Sequence, residues 1–110
     1  MATIAIAPAE IMSRVEIDGY VLDTLMADLV GHDRQPSAFL VYLRLWRHTH
    51  GSGHPTAQVS LLDLAVGTGL SKRAVQEALR WLSKRRLISL QRESITAIPV
   101  YSVRRPWIRS

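Results

Sequence analysis

Between Tyr20 and Val30 the apolar positions Val21, Leu22, Leu25, Met26, Leu29 and Val30 recur at three- to four-residue spacing, the mark of a helix with one buried face. Asp18 stands where an N-cap belongs and Gly31 where a helix stops. HDRQP at 32–36 reads as a loop, after which Ser37 is expected to cap a second helix running to about Thr49. Its stripe of Phe39, Tyr42, Leu43 and Trp46 should face the core. GSGHP at 51–55 is a flexible connection, and Ala57 to Val59 reads as a very short strand. Ser60 with Asp63 forms a capping box in which Asp replaces the usual Glu, opening a third helix through Leu61, Leu62, Leu64, Ala65 and Val66. Gly67 and Gly69 break it, and a fourth helix runs from Ser71 to about Arg85.

Beyond Arg86 the period falls to about two. Residues 87–91 and 97–103 read as two strands joined by the polar Arg92-Glu93-Ser94. Pro99 cannot donate to a ladder, so the second strand is expected at an edge or bulged there. The pattern predicts a mainly α fold with a small C-terminal β-hairpin. Residues 1–17 read as a tail or a short edge strand, 18–107 as one domain, and 108–110 as a tail.

A chain of 110 residues, 47% of them hydrophobic, is enough for one core. It has no cysteine, which removes disulfides, thiolate metal sites and thiol nucleophiles together and fits a reducing compartment. No apolar run approaches the roughly 20 residues that span a bilayer, and MATIAIAPAE lacks the basic start and long apolar core of a signal peptide. The expectation is a cytoplasmic protein with no membrane partner. Charge changes the picture more. Residues 1–55 carry four cations against six acids, and residues 56–110 carry ten against three, so the net +5 divides into −2 and +7. That asymmetry points the C-terminal half toward a polyanion.

The fourth helix separates into two faces. Ala74, Val75, Ala78, Leu79, Trp81 and Leu82 share one arc, whereas Lys72, Arg73, Gln76, Glu77, Arg80, Ser83 and Lys84 fill the other. Four cations share that polar face with a single acid, so few are neutralised by neighbours one turn away. Lys72 and Arg73 also occupy the first turn, where the helix dipole disfavours each cation by about 0.3–1 kcal/mol.

The run Leu64-Ala65-Val66-Gly67-Thr68-Gly69-Leu70-Ser71-Lys72-Arg73-Ala74-Val75 resembles a helix-turn-helix. Ala65 lets the two helices approach, Gly69 can take the positive φ of a tight turn, and Leu64, Leu70, Val75 and Ala78 fill the space between. With the Leu-Ile, the hairpin and the closing Val-Tyr-x-Val-x-Arg-Pro-Trp, residues 37–107 are similar to the winged helix-turn-helix domains of bacterial and phage regulators and replication initiators. Many of those domains have Gly where this chain has Arg86. The resemblance implies double-stranded DNA as partner, with the second helix in the major groove and the wing, about 87–103, at the backbone or minor groove. It makes Ser71, Lys72, Arg73 and Gln76 candidates for base edges, Arg80, Lys84 and Arg92 candidates for phosphates, and Thr68 a hydroxyl donor to a phosphate. Arg85 and Arg86 fall off that face and belong to the helix end as much as to any DNA contact.

Other constellations carry less. His48, His50 and His54 surround a Gly-rich loop, yet His48 and His50 do not share a helix face and no carboxylate follows before Asp63, so no metal is expected. Asp23, Asp28 and Asp33 point different ways and make a poor acid–base pair. Ser13, Ser52 and Ser60 lack the setting of a nucleophile, and GTGLS lacks a phosphate-loop Lys. The chain reads as a non-enzyme with no cofactor and no evident small-molecule ligand. It reads as a sequence-specific DNA-binding transcription regulator at the nucleoid, with homodimerisation as a way to multiply a short recognition site. The alternatives are the DNA-binding part of a replication or plasmid initiator, and a winged-helix protein-interaction module whose basic face is incidental.

Overall fold

In the computed structural model, which describes residues 13–108, Val21, Leu25 and Leu29 are buried at strict four-residue steps. Residues 19–32 wind as one helix, α1, in which Val21–Leu25 and Asp28–His32 take π geometry. Wider π turns alternating with α turns of ~3.6 residues bring the period to about four, so each column of side chains runs straight along the helix. One column is core. The next, Leu22, Met26 and Val30, is exposed, which separates residues expected on one buried face.

Both ends of α1 differ from expectation. The Asp18 carbonyl accepts the Val21 N–H at 3.0 Å, but its carboxylate turns away to take the Arg105 guanidinium at 2.7 Å and Trp107 Nε1 at 2.9 Å, so it caps nothing. At the other end the helix passes Gly31 and leaves through Arg34, φ 57°, over which the Gln35 N–H reaches the Leu29 carbonyl at 2.7 Å. Burial of Leu29 and capture of the Asp33 carboxylate by Trp81 and Arg85 carry the exit past the glycine.

Helix α2, Pro36–His48, has Gln35 as its N-cap with no side-chain cap. The fixed φ and missing N–H of proline suit the first helical position, so the helix starts one residue before Ser37, which lies inside the first turn and is no cap. Ala38, Phe39, Val41, Tyr42, Leu45 and Trp46 are all buried, which makes α2 the central helix rather than one with a single apolar stripe; Leu43 is only half-buried. Its two large aromatics are tied from both ends of the domain. Trp46 Nε1 donates to the Glu16 carbonyl at 2.8 Å, and the Tyr42 hydroxyl donates to the Arg104 carbonyl at 2.9 Å. Residues 13–17 therefore lie against the core through Val15 and Glu16, without forming a strand. The expectations for residues 1–12 and 109–110 lie outside the described residues.

The chain continues through β1 (Ala57–Gln58), α3 (Leu61–Thr68), α4 (Lys72–Lys84), β2 (Ile88–Gln91) and β3 (Val100–Val103). The strands form one antiparallel sheet in the order β1-β3-β2, with Ala57 opposite Tyr101 and Ile88 opposite Val103. β3 is therefore the central strand and not an edge. Pro99 is accommodated because it falls one residue before β3, where its carbonyl still accepts the Val59 N–H at 3.3 Å. Among the described residues the fold is mainly helical, four helices with a small three-stranded sheet. Among the described residues no helix is long and apolar enough to cross a membrane.

Candidate nucleic-acid interface

Three local devices aim α4. Ser60 Oγ accepts the Asp63 N–H at 3.0 Å and starts α3 as the capping pattern predicts. Contrary to expectation the helix runs through Gly67, which gives room to the Arg44 guanidinium, and Gly69 alone, at φ 78°, ends α3 with its N–H on the Ala65 carbonyl at 2.9 Å. Ser71 Oγ accepts the Ala74 N–H at 3.1 Å and starts α4. Leu64, Val75 and Ala78 are buried between the two helices, with Leu70 packed beside them.

The far end of α4 closes with paired bonds, Arg86 N–H to the Ser83 carbonyl at 3.0 Å and Leu87 N–H to the Leu82 carbonyl at 2.9 Å. This is a Schellman motif, and its left-handed position, normally glycine, is Arg86 at φ 56°. The side chain is exposed. Leu82 and Leu87 are both buried, supplying the apolar contact the motif requires.

Every residue assigned to the polar face of α4, namely Lys72, Arg73, Gln76, Glu77, Arg80, Ser83 and Lys84, is exposed. Lys72 makes no ion pair among the described residues. Arg73 Nε donates to Glu77 Oε1 at 3.3 Å in an open i,i+4 pair, and Lys84 Nζ stands 5.5 Å from the centre of the Trp81 ring. Gln76 and Arg80 line one groove with Arg92 of the β2–β3 connection, a space of about 590 Å³ between α4 and the hairpin. On the other side of Arg80, Lys84 lines a smaller hollow of about 340 Å³ with Trp81 and Gln35. Arg92 Nη1 donates to the Ile95 carbonyl at 3.3 Å, which ties the guanidinium to the loop.

Thr68 departs from its expected role. Its hydroxyl donates to the Leu64 carbonyl at 2.6 Å and accepts the Leu70 N–H at 3.3 Å. The single proton is already committed, so Thr68 closes the turn and has none to give a phosphate, which only accepts. Arg85 serves the fold, bound to Asp33 across from Trp81 Nε1, which reaches the same carboxylate at 2.9 Å. His50 Nε2 lies 2.9 Å from the Val103 carbonyl. Burial and then the neighbouring Arg44 and Arg47 press His48 below the usual histidine range.

Two features of this surface carry no sequence signal. Arg44 Nε is buried with no partner, and its guanidinium fills the space that a side chain at Gly67 would need, so the last turn of α3 rests on α2 through an arginine. Tyr101 is the other. It is only 1% exposed and lines the groove beside Leu79 and Leu90. Comparison with known proteins finds no family model, curated protein or solved structure that matches the chain.

Proposed function

We propose that the protein is a winged helix-turn-helix that binds double-stranded DNA sequence-specifically and regulates transcription. The observation that carries the reading is the outward face of α4, where Lys72, Arg73, Gln76, Arg80 and Lys84 are all exposed against the single acid Glu77. A stabilised surface helix gains from mixed signs, whereas this one spends its first turn on cations. The order α2-β1-α3-α4-β2-β3 and the sheet order β1-β3-β2 support the winged-helix assignment, with β2, β3 and their connection as the wing. In this reading Lys72, Arg73 and Gln76 reach base edges from the N-terminal end of α4, and Arg80, Lys84 and Arg92 grip phosphates. Ser71 is spent on its cap as an acceptor and keeps its proton for a DNA oxygen.

The test is fluorescence anisotropy on genomic fragments selected by the protein. These three phosphate contacts predict about a fortyfold loss of affinity between about 50 and about 200 mM salt. Binding unchanged over that range overturns the reading.

A protein-interaction module is the second reading, favoured by the exposed apolar column Leu22, Met26 and Val30 of α1. No DNA retardation at low salt and micromolar protein selects it. The same column is the surface a DNA-bound homodimer would use, which sedimentation with and without DNA decides.

A further inference from the structure

The connection between β2 and β3 turns over Ser94-Ile95-Thr96-Ala97, closed by the Ala97 N–H on the Ser94 carbonyl at 3.2 Å. Such turns favour Gly, Pro, Asn, Asp or Ser, and a β-branched side chain there gains neither turn chemistry nor sheet packing. Ile95 nevertheless stands at this apex, 90% exposed, the most exposed large apolar side chain among the described residues. It adds nothing to the core. A residue that breaks a local rule without structural return marks a functional position. The groups around it fit nucleic acid. Arg92 Nη1 donates to the Ile95 carbonyl at 3.3 Å, and the hydroxyls of Ser94 and Thr96, which flank Ile95 in sequence, lie 3.3 Å apart. That pair spends one proton internally and keeps the other to donate outward. The one acid of the tip, Glu93, lines a separate hollow with Gln58 and Ile98. The DNA minor groove offers the complement: base acceptors on its floor, phosphates along its walls and stacked steps that an apolar side chain can part. Arg92 also lines the groove beside Gln76 and Arg80, so the tip continues the surface of α4.

We propose that Ile95 is a wedge that enters the minor groove, parts one base step and bends the DNA. Resting on the DNA-binding reading, this gives the protein a second function, the shaping of its target. Arg92 on a phosphate and the hydroxyl pair on the groove floor hold the wedge at the stack. It is also a second source of specificity. Parting a step costs least at the flexible TA and CA/TG steps, so sequence is read at a position where no side chain need hydrogen-bond a base.

The test uses the full chain and a duplex it selects from genomic DNA, with a fluorophore at each end so that energy transfer reports the end-to-end distance. The wild type is expected to bend that duplex by about 20–90°. Ile95→Ala should leave it nearly straight, and Ile95→Met, which restores an apolar wedge, should bend it again. Ile95 lies outside the core, so both variants fold. Replacing the TA or CA/TG step at the wing end of the site by AA should weaken the wild type about tenfold and Ile95→Ala about twofold at most. A duplex bent equally by wild type and Ile95→Ala, or left straight by both, overturns the wedge while the DNA reading stands, as does a bend that methionine fails to restore. A protein that retains no duplex at low salt removes the DNA reading and the wedge with it, so the two failures are distinct.

Discussion

Asp33 accepts the indole N–H of Trp81 at 2.9 Å and, on the same oxygen, the guanidinium of Arg85. One nearly buried carboxylate at the end of α1 thus holds the last turns of α4 from behind, opposite the face that carries Gln76 and Arg80. Asp33→Ala strands both donors and should cost about 1–3 kcal/mol in chemical denaturation. Burial alone would raise this carboxyl, but the bonds from His32 and Trp81 and the charge of Arg85 outweigh it and hold it below the usual carboxylate range. A depressed folded value means the stabilisation is present above the unfolded pKa and is lost as pH falls through the folded one. Denaturation between about pH 5 and about pH 2 should lose stability in the wild type and less of it in Asp33→Ala.

Arg86 sits left-handed where glycine carries no penalty. Arg86→Gly should stabilise the protein by about 1 kcal/mol, read as a higher denaturation midpoint. If the charge is kept for DNA, the same variant will bind fragments more weakly while being more stable. Equal affinity assigns Arg86 to the turn alone.

Gly67 and Arg44 form a coupled pair. Alanine at 67 gains about 1 kcal/mol of helix propensity but must displace the Arg44 guanidinium from its seat. Gly67→Ala alone is therefore expected to destabilise or do nothing. On an Arg44→Ala background it should stabilise by about 1 kcal/mol, and additivity in that double-mutant cycle would refute the contact.

Glu77 is the one acid on the outward face of α4, and it holds Arg73. Glu77→Gln should raise affinity for all DNA sequences and steepen the salt dependence, since it removes a repelled charge and frees a cation. Arg73→Ala should instead cost about 1–3 kcal/mol and relax sequence preference, as measured by anisotropy on selected and scrambled fragments. Equal weakening on both would reassign Arg73 to a phosphate.

The limits of α3 and α4 were legible because they are set by single residues with local chemistry: Ser60, Gly69 and Ser71 act within four positions of themselves. The basic face of α4 was legible for the same reason, since one helical period sorts it. What the chain conceals is non-local. No local pattern announces that Ala57 will pair with Tyr101 and turn the last strand into the central one, or that π turns will leave Leu22, Met26 and Val30 outside. The groove is concealed likewise, because Arg80, Arg92 and Tyr101 meet only when the hairpin packs on α4.

The clasp between Asp18 and Arg105 spans 87 positions of the chain. The pair α3–α4, by contrast, is built from neighbours a few turns apart. Loop-closure entropy is expected to put such a distant contact late in folding, after the local helices have docked. Contacts made after the transition state govern how fast a protein comes apart and barely affect how fast it assembles. Asp18→Ala is therefore expected to speed unfolding more than it slows refolding, as read from the two arms of a denaturant chevron.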